Sequence, residues 1–255
     1  MDIMNWAYEN GCPLDYCIMF SAAGHVDILQ WCYERNCPLP PETHGWMNSA
    51  ATNGHKNVIE WVLEKNIPFD KKPICFFATK SQNVEFIKWL YEKGFNYTHG
   101  MLKIAWDINY KFFRELCKIG CPFDNEILCD LALKGGIANL KFLFEAGVQP
   151  CNEICIFAAM GGHYNILRLA DKYGCIPGIQ VCFYAAKRGD LKMLAWAIEK
   201  GKAPVDINVF KIAIENNQKH IVKYLIDKGF ECTKECILMY RQYYGPLIKF
   251  PSEFL

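Results

Sequence analysis

Residues 155–174 read CIFAAMGGHYNILRLADKYG, and this stretch decides the fold because a variant of it recurs eight times along the chain. With Cys155 as slot zero, an apolar run carries two small residues, Ala158 and Ala159, at slots three and four. A turn follows at Gly162 and His163, then a second apolar run with Ile166, Leu167 and Leu169, and Gly174 closes the unit at slot 19. The same frame starts at Cys17, Met47, Cys75, Met101, Leu128, Cys155, Cys182 and Phe210. It closes at Asn36, Asn66, Gly94, Gly120, Gly147, Gly174, Gly201 and Gly229. No insertion or deletion falls inside a unit, and all length changes lie between units. That is the pattern of a rigid helix pair joined by tolerant surface loops.

Within the unit, the first run predicts a short helix over about slots zero to six. Its small pairs, such as Ala50-Ala51, Ala78-Thr79, Ala158-Ala159 and Ala185-Ala186, allow neighbouring helices to approach closely. The turn slots read Gly24-His25, Gly54-His55 and Gly162-His163, and drift elsewhere to Gln82-Asn83, Ile108-Asn109, Gly189-Asp190 and Asn217-Gln218. Glycine supplies the left-handed conformation at a helix end, and His, Asn or Asp is expected to bond the backbone at the start of the next helix. The second helix carries the larger apolar face. Slots 11 and 12 are apolar in every unit except at Asn139, and slot 14 holds Trp31, Trp61, Trp89 and Trp196. Spacings of one, three and four are helical, so the tryptophans are expected to be core. A closing Gly or Asn followed by a nearby Pro, as at Gly120 and Pro122, is a helix stop.

A chain of 255 residues is long for one compact core, yet no linker divides it; a one-dimensional stack, in which each unit buries its face against its neighbours, resolves that conflict. The net charge of +1, from 28 basic and 27 acidic residues, gives no footprint for nucleic acid or an anionic membrane. There is no apolar run of the length that spans a bilayer, and the opening MDIMNWAYEN does not resemble a signal peptide. The 14 cysteines follow the repeat: Cys17, Cys75, Cys155 and Cys182 hold slot zero, and Cys12, Cys37, Cys121 and Cys175 follow a closing residue. With no C-x-x-C and no histidine beside the C-x3-C pairs, buried or half-buried free thiols in a reducing cytosol are expected rather than disulfides or zinc.

Residues 1–14 align with the second half of a unit, so that Ile3, Met4 and Trp6 stand where Ile28, Leu29 and Trp31 stand. A terminal cap, a partner surface and a reading frame cut from a longer ancestor all fit this half repeat. Residues 15–230 then hold eight full repeats and 231–255 a degenerate last unit. In the latter, Cys236 starts a first helix while Pro246 and Pro251 limit a second, as a C-terminal cap would require. Trp46 and His44, behind Pro40 and Pro41, are expected in the longest inter-unit loop, covering the first two units.

The segments GHVDILQWCYERNCPL, GHKNVIEWVLEKN and AAMGGHYNILRLADKYG resemble ankyrin repeats, whose second half reads roughly G-H-[LV]-[ED]-[VI]-[VL]-x-x-L-[LI]-x-x-G. The resemblance covers nearly the whole chain, with departures: the period falls to 26 to 28 residues from Gly94 onward, and the T-P-L-H start is absent. This short, Cys-rich form is similar to arrays encoded by large DNA viruses of amoebae and by some protists. The resemblance implies an all-α, ankyrin-like solenoid of helical hairpins with shortened or absent β-hairpin fingers. It further implies a non-catalytic module that binds a protein partner on its concave face.

In that geometry slots five and six, at the end of the first helix, face the partner. Lys80, Trp106, Lys134, Met160, Lys187 and Arg188 are the candidate binding residues, with Trp106 the one large aromatic among small, polar or flexible neighbours. It serves either as a contact or as cover for a gap left by Ile108. The basic slots call for an acidic partner surface. The expected protein is a cytoplasmic monomer, in host cytoplasm if viral, with no cofactor or metal and no nucleic-acid or membrane partner. Self-assembly through the amino-terminal half repeat is the alternative. An enzyme is the weaker reading: of the six histidines three hold the turn slot, and no nucleophile motif or phosphate loop stands outside the repeat.

Overall fold

The computed structural model describes residues 2–22, 24–38, 44–199, 203–231 and 233–245. The expected closing residue Gly201, the inter-unit prolines Pro40 and Pro41, and the tail with Pro246 and Pro251 lie outside the described residues. Among those described, every regular element is helical and no strand occurs. The chain divides into two compact units, Met1–Phe123 and Asp124–Leu255.

The first unit opens with α1 (Asp2–Glu9) and continues in four contacting helix pairs. These are α2 (Tyr16–Ser21) with α3 (Val26–Glu34), α4 (His44–Thr52) with α5 (Lys56–Glu64), α6 (Ile74–Ala78) with α7 (Val84–Glu92), and α8 (Gly100–Ile108) with α9 (Tyr110–Lys118). The second unit holds α10 (Asn125–Lys134) with α11 (Ile137–Glu145), α12 (Glu153–Gly161) with α13 (Tyr164–Lys172), α14 (Ile179–Arg188) with α15 (Leu191–Glu199), and α16 (Ile207–Glu215) with α17 (Lys219–Asp227), followed by α18 (Lys234–Tyr244). Each pair coincides with one copy of the repeat frame.

Neighbouring pairs meet chiefly through their first helices. In the second unit α10 packs on α12, α12 on α14, α14 on α16 and α16 on α18; in the first, α2, α4, α6 and α8 form the corresponding row. The small slots make this possible: Ala50, Ala51, Ala158, Ala159, Ala185 and Ala186 are fully buried. Slot zero lies in the same seam, with Met47, Cys75, Met101, Leu128, Cys155, Cys182 and Phe210 buried, while Cys17 at the start of the first row is exposed. Where Thr79 replaces the second alanine, its hydroxyl donates to the Cys75 carbonyl at 2.9 Å. The chain tightens there into a 3-10 turn over Thr79–Ser81.

The first helices start one to three residues earlier than the frame suggests, and at α10 and α16 the connecting loop supplies a cap. Asp124 accepts from the Ile127 amide at 3.1 Å, and Asp206 from Asn208 and Val209 at 2.9 and 3.3 Å. The helices end as the glycines foretell. Gly162 takes φ +81, its amide donates to Ala159 and the next amide, His163, donates to Ala158, the paired bonds of a Schellman motif. Asn36 and Asn66 at slot 19, and Gln82 and Asn217 at slot seven, adopt the same left-handed conformation without glycine. The pair Ile108-Asn109 differs. A β-branched residue resists positive φ, so α8 runs on through Ile108 and Asn109 turns extended, its side chain accepting from Phe112 at 2.8 Å to start α9 directly.

Trp46 corrects the loop expectation: it and His44 lie within α4, and Trp46 is fully buried core. The α4 helix begins before the frame's slot zero, as the other first helices do. Slot 14 is core at Trp31 and Trp61 but only half-buried at Trp89 and Trp196. Asn139, the one polar residue at slot 11, is fully buried, and neither its Oδ1 nor its Nδ2 meets a hydrogen-bond partner. An unmet buried amide costs about 1–3 kcal/mol. Replacing Asn139 with Ile, the residue found at slot 11 in the units of Ile166 and Ile221, should raise unfolding free energy by about that amount in a urea titration. A lowered midpoint would show that the amide is satisfied and the site misread.

Candidate functional site

The ends of the first helices are where the repeat leaves side chains over. In the second unit Lys134, Met160, Lys187 and Arg188 are all exposed at slots five and six, Met160 with 42% of its surface open. In the first unit Lys80 is exposed, its ammonium 5.4 Å from the Phe77 ring centre, and Trp106 is half-buried on α8. α8 continues through Ile108.

The backbone beneath these side chains is held by the following repeat. The His163 ring nitrogen Nε2 lies 3.0 Å from the Leu133 carbonyl one repeat back, and a Cβ on Gly135 would strike the same imidazole. The Arg188 guanidinium covers Gly162 and donates to the Met160 carbonyl at 3.3 Å; Gln218 covers Gly189, and His55 covers Gly24. At Gly135, Gly162 and Gly189 the positive φ favours glycine, and a side chain from the next unit lies across each.

This corrects the expected role of the turn histidines. His25, His55 and His163 make no side-chain cap, whereas the shorter Asn83, Asn109 and Asp190 do cap, Asn83 accepting from Phe86 at 3.0 Å and Asp190 from Met193 at 2.9 Å. The His163 imidazole is long enough to reach the preceding repeat and bonds the Leu133 carbonyl there instead. Arg188 therefore has two tasks, since its stem and guanidinium belong to the stack while its outer edge faces solvent.

Beside this face runs a groove of about 320 Å³ lined by Gly135, Gly162, His163, Tyr164 and Lys192. The Lys192 ammonium sits 4.7 Å from the Tyr164 ring centre, and Tyr164 meets Trp196 edge-on at 6.0 Å.

Among the described residues, all cysteines but Cys12 and Cys17 are buried or half-buried. Burial pushes the Cys75 and Cys182 thiols up to about 12, and a thiol hydrogen bond with Cys175 together with burial drives Cys155 up as well. Among the described residues, no group of three or more His, Cys, Asp or Glu side chains is placed to hold a metal ion, and no helix is long and apolar enough to cross a membrane. Cys12 and Cys17 depart from the expectation of burial: both are exposed. Cys12 precedes α2 and Cys17 lies in its first turn.

No protein-family model matches the chain, and comparison with curated proteins finds no relative.

Alkylation of the native protein with iodoacetamide at pH 8, read by peptide mass spectrometry, should label Cys12 and Cys17 first. Only the thiolate reacts, and with a raised pKa of about 12 Cys75 and Cys182 hold roughly one thiolate in ten thousand at that pH. Labelling of Cys75 as fast as that of Cys17 would contradict the described burial.

Proposed function

We propose that this chain is a non-catalytic protein-binding helical repeat of the ankyrin kind, with its β-hairpin fingers shortened or absent, acting as a monomer in the cytoplasm. The observation that carries the reading is the division of labour at slots five to eight. At Gly135, Gly162 and Gly189 the turn is covered by a side chain of the following repeat, while Lys134, Met160 and Lys187 are exposed at the adjoining helix ends. A turn backbone already held by the next repeat leaves only the side-chain rotamers to be ordered when a partner binds.

The partner surface would be a protein bearing carboxylates around an apolar patch, with Met160 entering the patch and Lys134, Lys187 and the outer edge of Arg188 facing the carboxylates. Lys80 and Trp106 occupy the matching slots in the first unit and would serve there in the same way. The near-zero net charge favours such a local match over a nucleic-acid backbone.

Affinity capture on the immobilised protein, followed by mass spectrometry, identifies a partner against which variants are titrated. Met160→Ala should weaken the complex by about 1–2 kcal/mol as a buried interface contact. Lys187→Glu should slow association and reduce its dependence on salt while leaving the fold intact. A partner that binds both variants as it binds the unaltered protein would remove this face from consideration.

A further inference from the structure

The net charge of +1 conceals an uneven distribution. In the second unit, slots 5 to 13 run from the end of each first helix through the turn to the middle of the second helix. They hold eight Lys or Arg residues against two acids, Asp190 and Glu215, whereas the same slots of the first unit hold five against four. All eight cations are exposed. Lys134, Lys187 and Arg188 end first helices, and Lys141, Arg168, Lys192, Lys219 and Lys223 stand on α11, α13, α15 and α17.

Few of these charges are met within the chain. In the first unit Lys88 pairs with Glu85 at 2.7 Å and Lys56 with Glu60 at 4.0 Å. In the second, Lys141 pairs with Glu145 at 3.7 Å, but Arg168, Lys187 and Lys223 form no ion pair with a described residue. Lys192 and Lys219 lie over the Tyr164 and Tyr244 rings rather than beside carboxylates. Of the two acids, Asp190 is taken up in capping α15.

The placement also runs against the helix dipole, whose N-terminal end favours anions and whose C-terminal end favours cations. None of α11, α13, α15 and α17 carries an acid in its first turn, and α15 and α17 carry Lys192, Lys219 and His220 there. Their last turns hold Glu145, Asp171, Glu199 and Asp227. In the first unit α3 and α7 follow the rule, with Asp27 and Glu85 in their first turns. Helix stability therefore does not account for the cationic edge of the second unit.

That edge is continuous across repeats. Lys192 reaches back to Tyr164, His220 lies 2.9 Å from the Gly189 carbonyl, and the groove of Gly135, His163, Tyr164 and Lys192 crosses three units. Ile137 and Leu191, 40% and 37% exposed, stand between the cations. Such aliphatic side chains offer nothing to a phosphate backbone but bury against a polypeptide, and the one aromatic in the groove, Tyr164, already has Lys192 and Trp196 on its ring and gives no platform for a base.

We propose that the turn edge of the second unit, from Lys141 through Arg168 and Lys192 to Lys219 and Lys223, docks an extended acidic segment of a partner protein, rich in Asp and Glu with interspersed aliphatic residues. Four repeats at about 10 Å per step match about ten residues of extended chain. This rests on the protein-binding reading and carries the contact beyond the first-helix ends onto the second helices.

The test titrates the full chain into the fluorescein-labelled peptide Glu-Glu-Leu-Glu-Glu-Leu-Glu-Glu-Leu-Glu and follows anisotropy at low and at physiological ionic strength. Binding should saturate and weaken as salt rises. Arg168→Glu combined with Lys192→Glu should lower the affinity about tenfold or more, while Lys172→Glu combined with Lys234→Glu, an equal change of net charge away from the edge, should leave it within about twofold. Absence of binding at low salt, or equal loss in the two double variants, overturns the proposal. So does an oligothymidylate of the same length that binds more tightly than the peptide, which would assign the edge to nucleic acid. The substitutions leave Met160 and Lys187 untouched, so a failure here is distinct from a failure of the first-helix face, which is read by titrating Met160→Ala against its own captured partner.

Discussion

Everything in this molecule depends on how closely one first helix can lie against the next. Alanine pairs at slots three and four, Ala158 with Ala159 and Ala185 with Ala186, bring the helix surfaces within reach of each other's backbone, and the turn that follows is closed by side chains from the next repeat. Because that contact recurs with each unit, an inserted residue between slot zero and slot 19 would displace the alanines, the turn and the second helix together. The fixed length of the unit and the variable length of the connections are two results of one packing constraint.

Much of the fold was legible in the sequence for the same reason. A unit repeated eight times writes the same residue types into the same slots, and the frame built from residues 155–174 marked the helix pairs, the left-handed closures at Asn36, Asn66 and the glycines, and the buried alanines. What escaped it were interactions between units, which leave no pattern inside a unit. His163 reads locally as a cap, yet it spends its nitrogen on Leu133 thirty residues away. Trp46 fell into a loop because the frame began at Met47, although early caps such as Asp124 and Asp206 hinted that first helices start sooner. Cys12 and Cys17 occupy slots that are buried elsewhere, yet both are exposed.

The candidate binding residues were legible only as positions. Their slots follow from the frame, and Lys80, Lys134, Met160, Lys187 and Arg188 are exposed at them. What those side chains do is not encoded in periodicity, since the stack does not select them. The two-part role of Arg188, partly structural and partly at the surface, was invisible for a related reason: only the structure brings its guanidinium over Gly162. The cationic edge of the second unit was present in the sequence, but the net charge of +1 averages over it, and it emerges only once slots 5 to 13 are placed together.

Gly161 gives the most direct measurement of the central claim, because two physical effects predict opposite signs there. It ends α12 without a positive φ, so by helix propensity alone Gly161→Ala should stabilise the protein, by up to about 1 kcal/mol in a helix interior. An added Cβ would instead collide with the Leu133 carbonyl oxygen of the preceding repeat, a backbone atom that cannot swing aside. If close stacking of successive first helices governs the fold, Gly161→Ala lowers the unfolding free energy by about 1–3 kcal/mol in a urea titration, the usual effect of overpacking. A gain in stability from that single methyl group would contradict the account.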